Sequence, residues 1–490
     1  MTSTSHLSAT NDFGVIGLGV MGENLALNVT DHGFSVVLWN HTVAKIDSVL
    51  QRGGPNRPWI GTKTLVDFFA ALKTPRRILL MIKAGTPVDD MLELLIPLLT
   101  PGDVVIDGGN SFFVDTQRRE LRLRASHVHF VGMGVSGGEE GARYGPSLIP
   151  GGTRTSYDHL RPIFEAIAAT TDSGPCVTYV GPEGAGHFVK MVHNGIEYGV
   201  MQSIAEAYDM LRRGLRLSAS QTSELFAEWN RGPMGSYLNE IASRILSVVD
   251  SATGHPLVEM ILDQAGQKGT GKWTAQVALD LGVPIPTIAA AIDSRVLSSM
   301  RAERVRASEL ISSTVLASIG TDASDTTGAI RDALFASTIC AYAQGMALLR
   351  AGSAEYRWSV DPREIARIWT GGCIIRARLL PTIMQAFGRD LSLANLLLDG
   401  DIAAHLTTTE PGWRRAVETA VKLGIAVPAL SASLAYFDSY HTAVLPQNLT
   451  QAQRDYFGAH TYQRTDGQPG HMIHSDWAAL IERAAARDKL

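Results

Sequence analysis

The sequence predicts an α/β fold joined to an all-α one: an N-terminal, doubly wound parallel sheet, then a large duplicated all-helical domain and a C-terminal tail. Three observations carry this expectation. A Gly-x-Gly-x-x-Gly turn, Gly17 to Gly22, follows an apolar run that begins at Phe13. Short apolar runs then alternate with helix-length amphipathic segments as far as Val180. From residue 187 the strand signal gives way to long helical periodicity that repeats itself.

The first element reads as strand, tight turn and helix: Phe13 to Ile16, then Gly17-Leu18-Gly19-Val20-Met21-Gly22, then Glu23 to Val29. In that setting the glycines form a Rossmann-like dinucleotide fingerprint. They let backbone approach a pyrophosphate, and the helix N-terminus supplies N–H donors and positive dipole. Further strands are expected at Ser35 to Trp39, Ile78 to Ile82, Val104 to Asp107, Val128 to Val131 and Val177 to Val180. The segments at their carboxyl ends, Lys83-Ala84-Gly85, Gly108-Gly109-Asn110 and Val135-Ser136-Gly137-Gly138, fall at the edge where such sheets bind ligands. After the second strand, Asn40-His41-Thr42 stands where an acidic residue would hold an NAD ribose. Its absence favours NADP, whose 2′-phosphate a carboxylate would repel. No arginine stands there either, and the nearest cations are His41, Lys45 and Arg52.

Gly186 to Tyr198 is the segment richest in chemistry. At roughly 100° per residue, Lys190, His193, Asn194, Glu197 and Tyr198 share an arc of about 140° on one helix face. A solvated face is the ordinary outcome for polar residues, but Gly195 and Gly199 weaken a surface helix to no purpose. Close approach of a ligand or second helix would explain them. A lysine near a glutamate supplies a base and an acid once burial separates their pKa values, so Lys190 is the candidate base and Glu197 the candidate acid.

The helical half carries an internal repeat of roughly 140 residues. Ala205 to Gly214 matches Ala343 to Gly352, Glu224 and Trp229 recur as Glu364 and Trp369, and Leu281 to Pro286 answers Leu423 to Pro428. Only the first copy holds Lys190 to Tyr198 and Lys268-Gly269-Thr270-Gly271-Lys272-Trp273-Thr274, which assigns the site to that copy. Gly266 to Lys272 nearly fits a P-loop, but Trp273 stands where magnesium needs Ser or Thr and no strand precedes it, so an ATPase is rejected. Lys268 and Thr270 suit a phosphate as cation and hydroxyl, with Arg295 as a second cation. The boundaries expected are 1–12 for a Ser/Thr-rich disordered start, 13–186 for the dinucleotide domain, 187–445 for the helical domain (units about 187–325 and 326–445) and 446–490 for the tail. Beyond Pro446 the aromatics of a polar segment suggest an arm that packs on another surface, such as a partner subunit.

With 490 residues, 45% hydrophobic and 19% charged, the chain has an ordinary globular composition. A net charge of -5 gives no support for nucleic acid or an anionic membrane as partners. Cys176, Cys340 and Cys373 fit neither a disulfide framework nor zinc spacing, and the late histidines His460, His471 and His474 lack acidic or thiol companions, so no metal is expected. No signal-like apolar run opens the sequence, and a cytoplasmic protein is expected.

These residues resemble one family throughout 13–464: 6-phosphogluconate dehydrogenase, the decarboxylating enzyme of the oxidative pentose phosphate branch. The marks are Gly17 to Gly22, Ile106 to Asn110, Gly134 to Gly141, Lys190 to Tyr198, Lys268 to Thr274 and Gln453 to Tyr462. The resemblance implies metal-free oxidation and decarboxylation of 6-phospho-D-gluconate to D-ribulose 5-phosphate and CO2, with NADP reduced to NADPH. Lys190 would act as general base and then acid, and Glu197 would protonate C1 of the enediol. It implies substrate contacts from Asn110, Ser136, Gly137, Gly138, His193, Asn194, Tyr198, Lys268, Thr270 and Arg295. A homodimer with shared sites would add Arg454 and His460 from the other subunit. Cofactor contacts would come from Gly17, Leu18, Gly19, Val20, Met21, Gly22, Asn40, His41, Thr42, Ile82, Lys83, Ala84 and Asn110. One departure stands out, because the family usually has arginine where His41 stands; this implies weaker NADP preference, with dual or NAD use open and Lys45 or Lys83 compensating. A sister β-hydroxyacid dehydrogenase would share the glycine turn and Lys190 but generally lacks the second helical copy. A silent metabolite-binding protein would need a broken site, whereas Lys190, Glu197 and Asn110 are all present.

Overall fold

The computed structural model describes residues 9–312 and 323–487. Most of the expected disordered start, residues 1–8, lies outside the described residues. Asn11 is held by a bridge to Leu72, and Asp12 accepts from Ser35 and Lys73. Residues up to Leu434 form one compact unit, and Ala435 onward a second.

The N-terminal elements alternate as the sequence pattern requires. They are β1 (Phe13–Ile16), α1 (Val20–Asp31), β2 (Val36–Trp39), α2 (Val43–Gly53), β3 (Trp59–Gly61), α3 (Leu65–Ala70), β4 (Arg77–Leu80), α4 (Thr86–Leu95), β5 (Val104–Asp107), α5 (Phe113–Arg124), β6 (His129–Ser136), α6 (Gly138–Tyr144), β7 (Ser147–Pro150) and α7 (Arg154–Ile167). The strands form one seven-stranded sheet in the order β3-β2-β1-β4-β5-β6-β7, parallel except for β7, which runs against β6. Alternate side chains feed two cores. Val15, Val36, Leu38, Val104 and Ile106 face the side that carries α1 and α7, while Ile16, Val37, Ile78, Leu80 and Val105 face Phe68, Leu92 and Leu123 on the other. Both faces of the strands are therefore apolar, the mark of a sheet covered on both sides.

The expected strand at Val177 to Val180 does not form. After the short hairpin of β8 (Thr170–Thr171) and β9 (Gly174–Pro175), Val177 makes only a bridge to Leu148, and Val180 donates one backbone bond to Pro150. This run is apolar because it is buried against β7, and burial alone does not separate a strand from an extended connector. β7 and β3 carried too little pattern to be expected, since one ends in proline and the other has three residues.

The helical array consists of α8 (Ala185–Asp209), α9 (Ala219–Asn230), α10 (Tyr237–Leu246), α11 (Leu257–Met260), α12 (Thr270–Asp280), α13 (Pro286–Ser299), α14 (Arg301–Leu310), α15 (Ala323–Glu355), α16 (Pro362–Ile368), α17 (Leu380–Arg389), α18 (Gly400–Leu423) and α19 (Pro428–Tyr440). The matched sequence segments lie on α8 and α15, and the matched Leu-Gly-x-x-x-Pro segments lead into α13 and α19. α15 is long and apolar enough to cross a membrane by length and composition, but 83% of its most apolar stretch is buried within the protein. It packs between α8 and α18.

The two long helices cap each other's copies. Glu206 on α8 accepts from the backbone N–H groups of Ala429 (2.8 Å) and Leu430 (2.9 Å) at the start of α19. Its counterpart Gln344 on α15 accepts from Thr287 N (3.1 Å) at the start of α13 and donates to the Thr287 hydroxyl (2.8 Å). Helix N-termini leave orphan donors, and here they are buried, so each copy satisfies the other's. A chain of buried hydroxyls, Ser203–Ser337–Ser433–Thr287, with each link 2.7 or 2.8 Å, joins the same four helices.

The second unit holds the rest of α19, then α20 (Gln447–Gly458), a hairpin of β10 (Tyr462–Gln463) and β11 (Met472–Ile473), and α21 (Trp477–Arg487). It is organised by Asp455, whose buried carboxylate accepts from Thr461 N, Ser475 N, Trp477 Nε1 and His474 Nδ1. Burial pushes its pKa up, but these donors outweigh that and hold it at about 2. One buried carboxylate therefore ties both ends of the hairpin and the start of α21 to α20.

Burial pushes the Glu206 carboxyl up from 4.5 to about 7, against the pull of the Leu430 and Ala429 N–H groups and Gln202. A raised folded-state pKa means that the contribution of Glu206 to stability is fully present below about pH 4.5 and is lost as pH rises through about 7. We expect urea-unfolding free energies of Glu206→Gln to depend less on pH across that window than those of the wild type, and Glu206→Ala to unfold at lower urea at every pH.

Candidate active site

The site begins where α8 lies on the backbone of β6. A Cβ at Gly186 would stand 2.1 Å from the Gly132 carbonyl oxygen, and one at Gly134 would stand 2.5 Å from the Lys190 Cβ. The absence of side chains at both positions lets the helix approach within backbone contact, and the stem of Lys190 fills the space above Gly134. Lys190 is 6% exposed. Burial lowers its pKa from the ordinary lysine value, and the Glu197 carboxylate opposes that only in part. Burial raises the Glu197 pKa, opposed by Lys190 and Arg295. Both groups are thus driven toward their neutral forms, which suits a base and an acid.

His193 is fully buried beside Lys190, with Nδ1 3.5 Å from the Lys190 Nζ. Its Nδ1 is 3.1 Å from Asn194 Oδ1 and its Nε2 is 3.0 Å from the Ser136 hydroxyl. The pattern that satisfies both has Nδ1–H donating to Asn194 and the Ser136 hydroxyl donating to Nε2. Burial and the neighbouring Lys190 push the His193 pKa well below its usual value, so the ring is neutral and its 3.8 Å approach to Glu197 is not an ion pair. Gly195 and Gly199 face second helices: their would-be Cβ atoms meet Thr274 on α12 at 2.7 Å and Ala341 on α15 at 3.2 Å.

The remaining candidates in this unit gather around the same helix. The guanidinium carbon of Arg295 lies 3.5 Å from the Tyr198 ring centroid, and Arg295 donates to the Gly266 carbonyl at 3.0 Å. Thr270 is buried at the start of α12, where Gly269 has left-handed backbone, and Lys268 precedes it on an exposed loop. Gly137 and Gly138 follow Ser136 at the start of α6. Arg454 and His460 belong to the second unit, where Arg454 donates to Gln451 and His460 sits edge-on to Phe457.

A cleft of about 780 Å³ opens along the carboxyl ends of the strands, lined among others by Gly19 to Gly22, Ile82 to Gly85, Gly108 to Asn110, Lys268 and Trp273. It lies where the strand order reverses between β1 and β4, the place at which such sheets bind dinucleotides. The glycine turn fits that role. Gly17 has φ +97, a Cβ at Gly22 would fall 1.9 Å from the Gly17 carbonyl oxygen, and a Cβ at Gly19 would meet nothing, which leaves open space for a phosphate. Asn40 Oδ1 accepts from Leu18 N at 3.0 Å and so ties the end of β2 to the turn. His41 and Thr42 are exposed, as are Lys45 and Lys83. Of the cations noted near the ribose end, Arg52 is already forked onto Glu23, with Nε to Oε1 at 2.9 Å and Nη2 to Oε2 at 2.6 Å. Across the cleft mouth, Phe112 stacks on Trp273 with centroids 5.0 Å apart.

The site is not confined to the first helical copy, as the sequence asymmetry suggested. The second copy supplies a wall: Trp369 sits edge-on to His193 at 5.6 Å, the Gly372 carbonyl abuts Gly137, and the Cys373 thiol, pushed up to about 12 by burial, lies near enough to Lys190 for the lysine to oppose that shift. In the sequence, Trp369 is legible only as a repeat of Trp229. Its recurrence marked fold and carried no sign of the loop that follows.

Comparison with known proteins gives a uniform result. Residues 12–181 match the family model described as the NAD binding domain of 6-phosphogluconate dehydrogenase, and residues 186–477 match 6-phosphogluconate dehydrogenase, C-terminal domain. The chain is 54% identical over 471 residues to 6-phosphogluconate dehydrogenase, decarboxylating, from Synechococcus elongatus, covering 96% of this chain and 100% of that one. It is 51% identical over 464 residues to the NADP(+)-dependent, decarboxylating enzyme of Bacillus subtilis, covering 95% and 98%. Among solved structures, 6-phosphogluconate dehydrogenase of Plasmodium falciparum, described in apo form and with NADP+ or 6-phosphogluconate, superposes with a TM-score of 0.91 at 42% identity, covering 95% of this chain and all of that one.

The contact of Gly134 with Lys190 can be tested directly. A methyl group there overpacks the β6–α8 seam, and we expect Gly134→Ala to lose about 1–3 kcal/mol in urea unfolding and to lower kcat by roughly 10-fold or more through displacement of Lys190. Unchanged kcat in a folded variant would show that the seam does not set the position of the lysine.

Proposed function

The chain belongs to the 6-phosphogluconate dehydrogenase family, and from that premise we propose that it converts 6-phospho-D-gluconate to D-ribulose 5-phosphate and CO2 while NADP becomes NADPH, with Lys190 and Glu197 as the acid–base pair. The observation that carries the residue assignment is the burial of Lys190 against Gly134 with Glu197 two turns along the same helix. NADP, when bound along the glycine turn, accepts the hydride from C3 of the sugar acid.

The neutral amine of Lys190 takes the C3 hydroxyl proton as that hydride departs. The resulting 3-keto acid loses CO2 because the ketone accepts the electron pair left on the neighbouring carbon. The Lys190 ammonium, now charged in a water-poor site, stabilises the oxygen at C3 and returns its proton there. Burial raises the Glu197 pKa and so favours the protonated form, which delivers a proton to C1 of the enediol while the hydroxyl that Lys190 protonated gives its proton back to the amine and becomes the ketone. His193 stays neutral and keeps a second charge away from Lys190, while Ser136 and Asn194 fix its tautomer. Asn110, Gly137, Gly138 and Tyr198 would line the sugar acid, and Lys268, Thr270 and Arg295 would meet its phosphate. Fixing that distant phosphate helps to orient C3 for hydride loss.

We read the working form as a cytoplasmic homodimer in which Arg454 and His460 of each tail complete the site of the other subunit. The support is exposed apolar surface in each unit: Val249, Ile261 and Leu262 in the first, and Leu449, Tyr456 and Phe457 in the second. Patches of this kind on a soluble fold mark association.

Two variants test these assignments. Lys190→Ala should bind 6-phosphogluconate yet lose about 10²–10⁴ in the rate of NADPH formation followed at 340 nm; substantial turnover would exclude it as the base. His41→Arg should raise the NADP-to-NAD ratio of kcat/KM by about 10-fold, the scale of one charge-assisted phosphate contact. An unchanged ratio would mean that this account of the pocket is wrong and that position 41 does not set the choice between the two cofactors.

A further inference from the structure

Arg119 is 1% exposed on α5, and arginine is almost never so buried unless it is fully paired. Its guanidinium is shared among three elements. Nε and Nη2 fork onto the Asp89 carboxylate of α4 at 2.9 and 3.0 Å. Nη2 also donates to the Gly85 carbonyl at 3.0 Å, and Nη1 reaches Asp107 Oδ2 at 3.4 Å and the Ser111 hydroxyl at 3.5 Å. Asp107, wholly buried at the end of β5, in turn accepts from Gly109 N at 3.0 Å and from the Ser111 hydroxyl at 2.6 Å.

A buried ion pair contributes little net stability compared with apolar packing of the same volume, so this cluster is better explained by the geometry it imposes. The backbone it grips is the two lips of the cleft. Gly85 closes the segment after β4 that includes Lys83 and Ala84, while Gly109 and Ser111 flank Asn110 after β5. We propose that Arg119 is a positioning residue for the dinucleotide, tying these two loops together and thereby setting the cleft width between Ala84 and Asn110. Of the residues assigned to the sugar acid it bears only on the loop of Asn110, and its hydrogen bonds go to Asp89, Gly85, Asp107 and Ser111 rather than to α8 or the Lys268 loop. A planar fork with five donors can hold a carboxylate and a carbonyl at once, and an ammonium cannot reproduce that arrangement.

The proposal rests on reading the cleft as the NADP site, and the experiment separates the two. NADPH binding is titrated calorimetrically without turnover on wild type, Arg119→Lys and Asp89→Asn, alongside KM for each substrate and thermal midpoints. We expect Arg119→Lys to weaken NADPH binding and raise KM for NADP by about 10-fold, the scale of one lost charged hydrogen bond, with KM for 6-phosphogluconate raised by a clearly smaller factor, since only Asn110 among its contacts lies on a gripped loop. Asp89→Asn, which keeps Arg119 but loosens its fork, should move the same quantities by a smaller factor. If a folded Arg119→Lys leaves NADPH affinity unchanged, or if both KM values rise by the same factor, the positioning role is wrong. Should Arg119→Lys fail to fold, Asp89→Asn decides by the same criteria. A wild type that does not bind NADPH would remove the underlying reading of the cleft, whereas normal wild-type binding with unperturbed variants would remove only this proposal.

Discussion

The contact between α8 and the bare backbone of β6 governs the chemistry of this protein. Gly132, Gly134 and Gly186 bring helix and strand so close that no water separates them. A lysine projecting from such a seam loses its solvation shell, and the charge it would carry elsewhere becomes unfavourable. One packing decision therefore sets the amine beside His193 at the β6 seam and also desolvates it, the condition that the proposed base requires. The same burial, with Lys190 alongside, pushes the His193 ring toward its neutral form.

Duplication supplies what one helical unit lacks. α8 and α15 satisfy the buried N-termini of α19 and α13 respectively, so neither copy is self-sufficient in hydrogen bonds. The crossing also brings the loop after α16 under the glycines at the start of α6, where it closes the site from below. The second copy lacks the reactive residues and contributes packing, with Trp369 edge-on to His193 and Cys373 buried near Lys190.

Much of this was legible in the chain because it follows from local rules. The glycine turn, the polar arc of Lys190 to Tyr198 and the repeat of Leu281 to Pro286 each carry their own spacing. What escaped depends on contacts between distant residues. Val177 to Val180 looked like a strand because burial and strand-forming residues leave the same trace. Trp369 and Cys373 have no local signature of a site, and Arg119 reads as one more cation on an amphipathic helix until its partners on α4 and β5 are seen. Asp455 likewise looks like a surface residue on α20, yet the second unit folds around it.

The stack of Phe112 on Trp273 joins the loop after β5 to the first turn of α12 across the cleft mouth. Any separation of the sheet from the helical array changes the overlap of those rings, and indole emission responds to a neighbouring ring and to water. Such a separation would be read by an intrinsic optical gauge seated at the cleft mouth, with no attached dye.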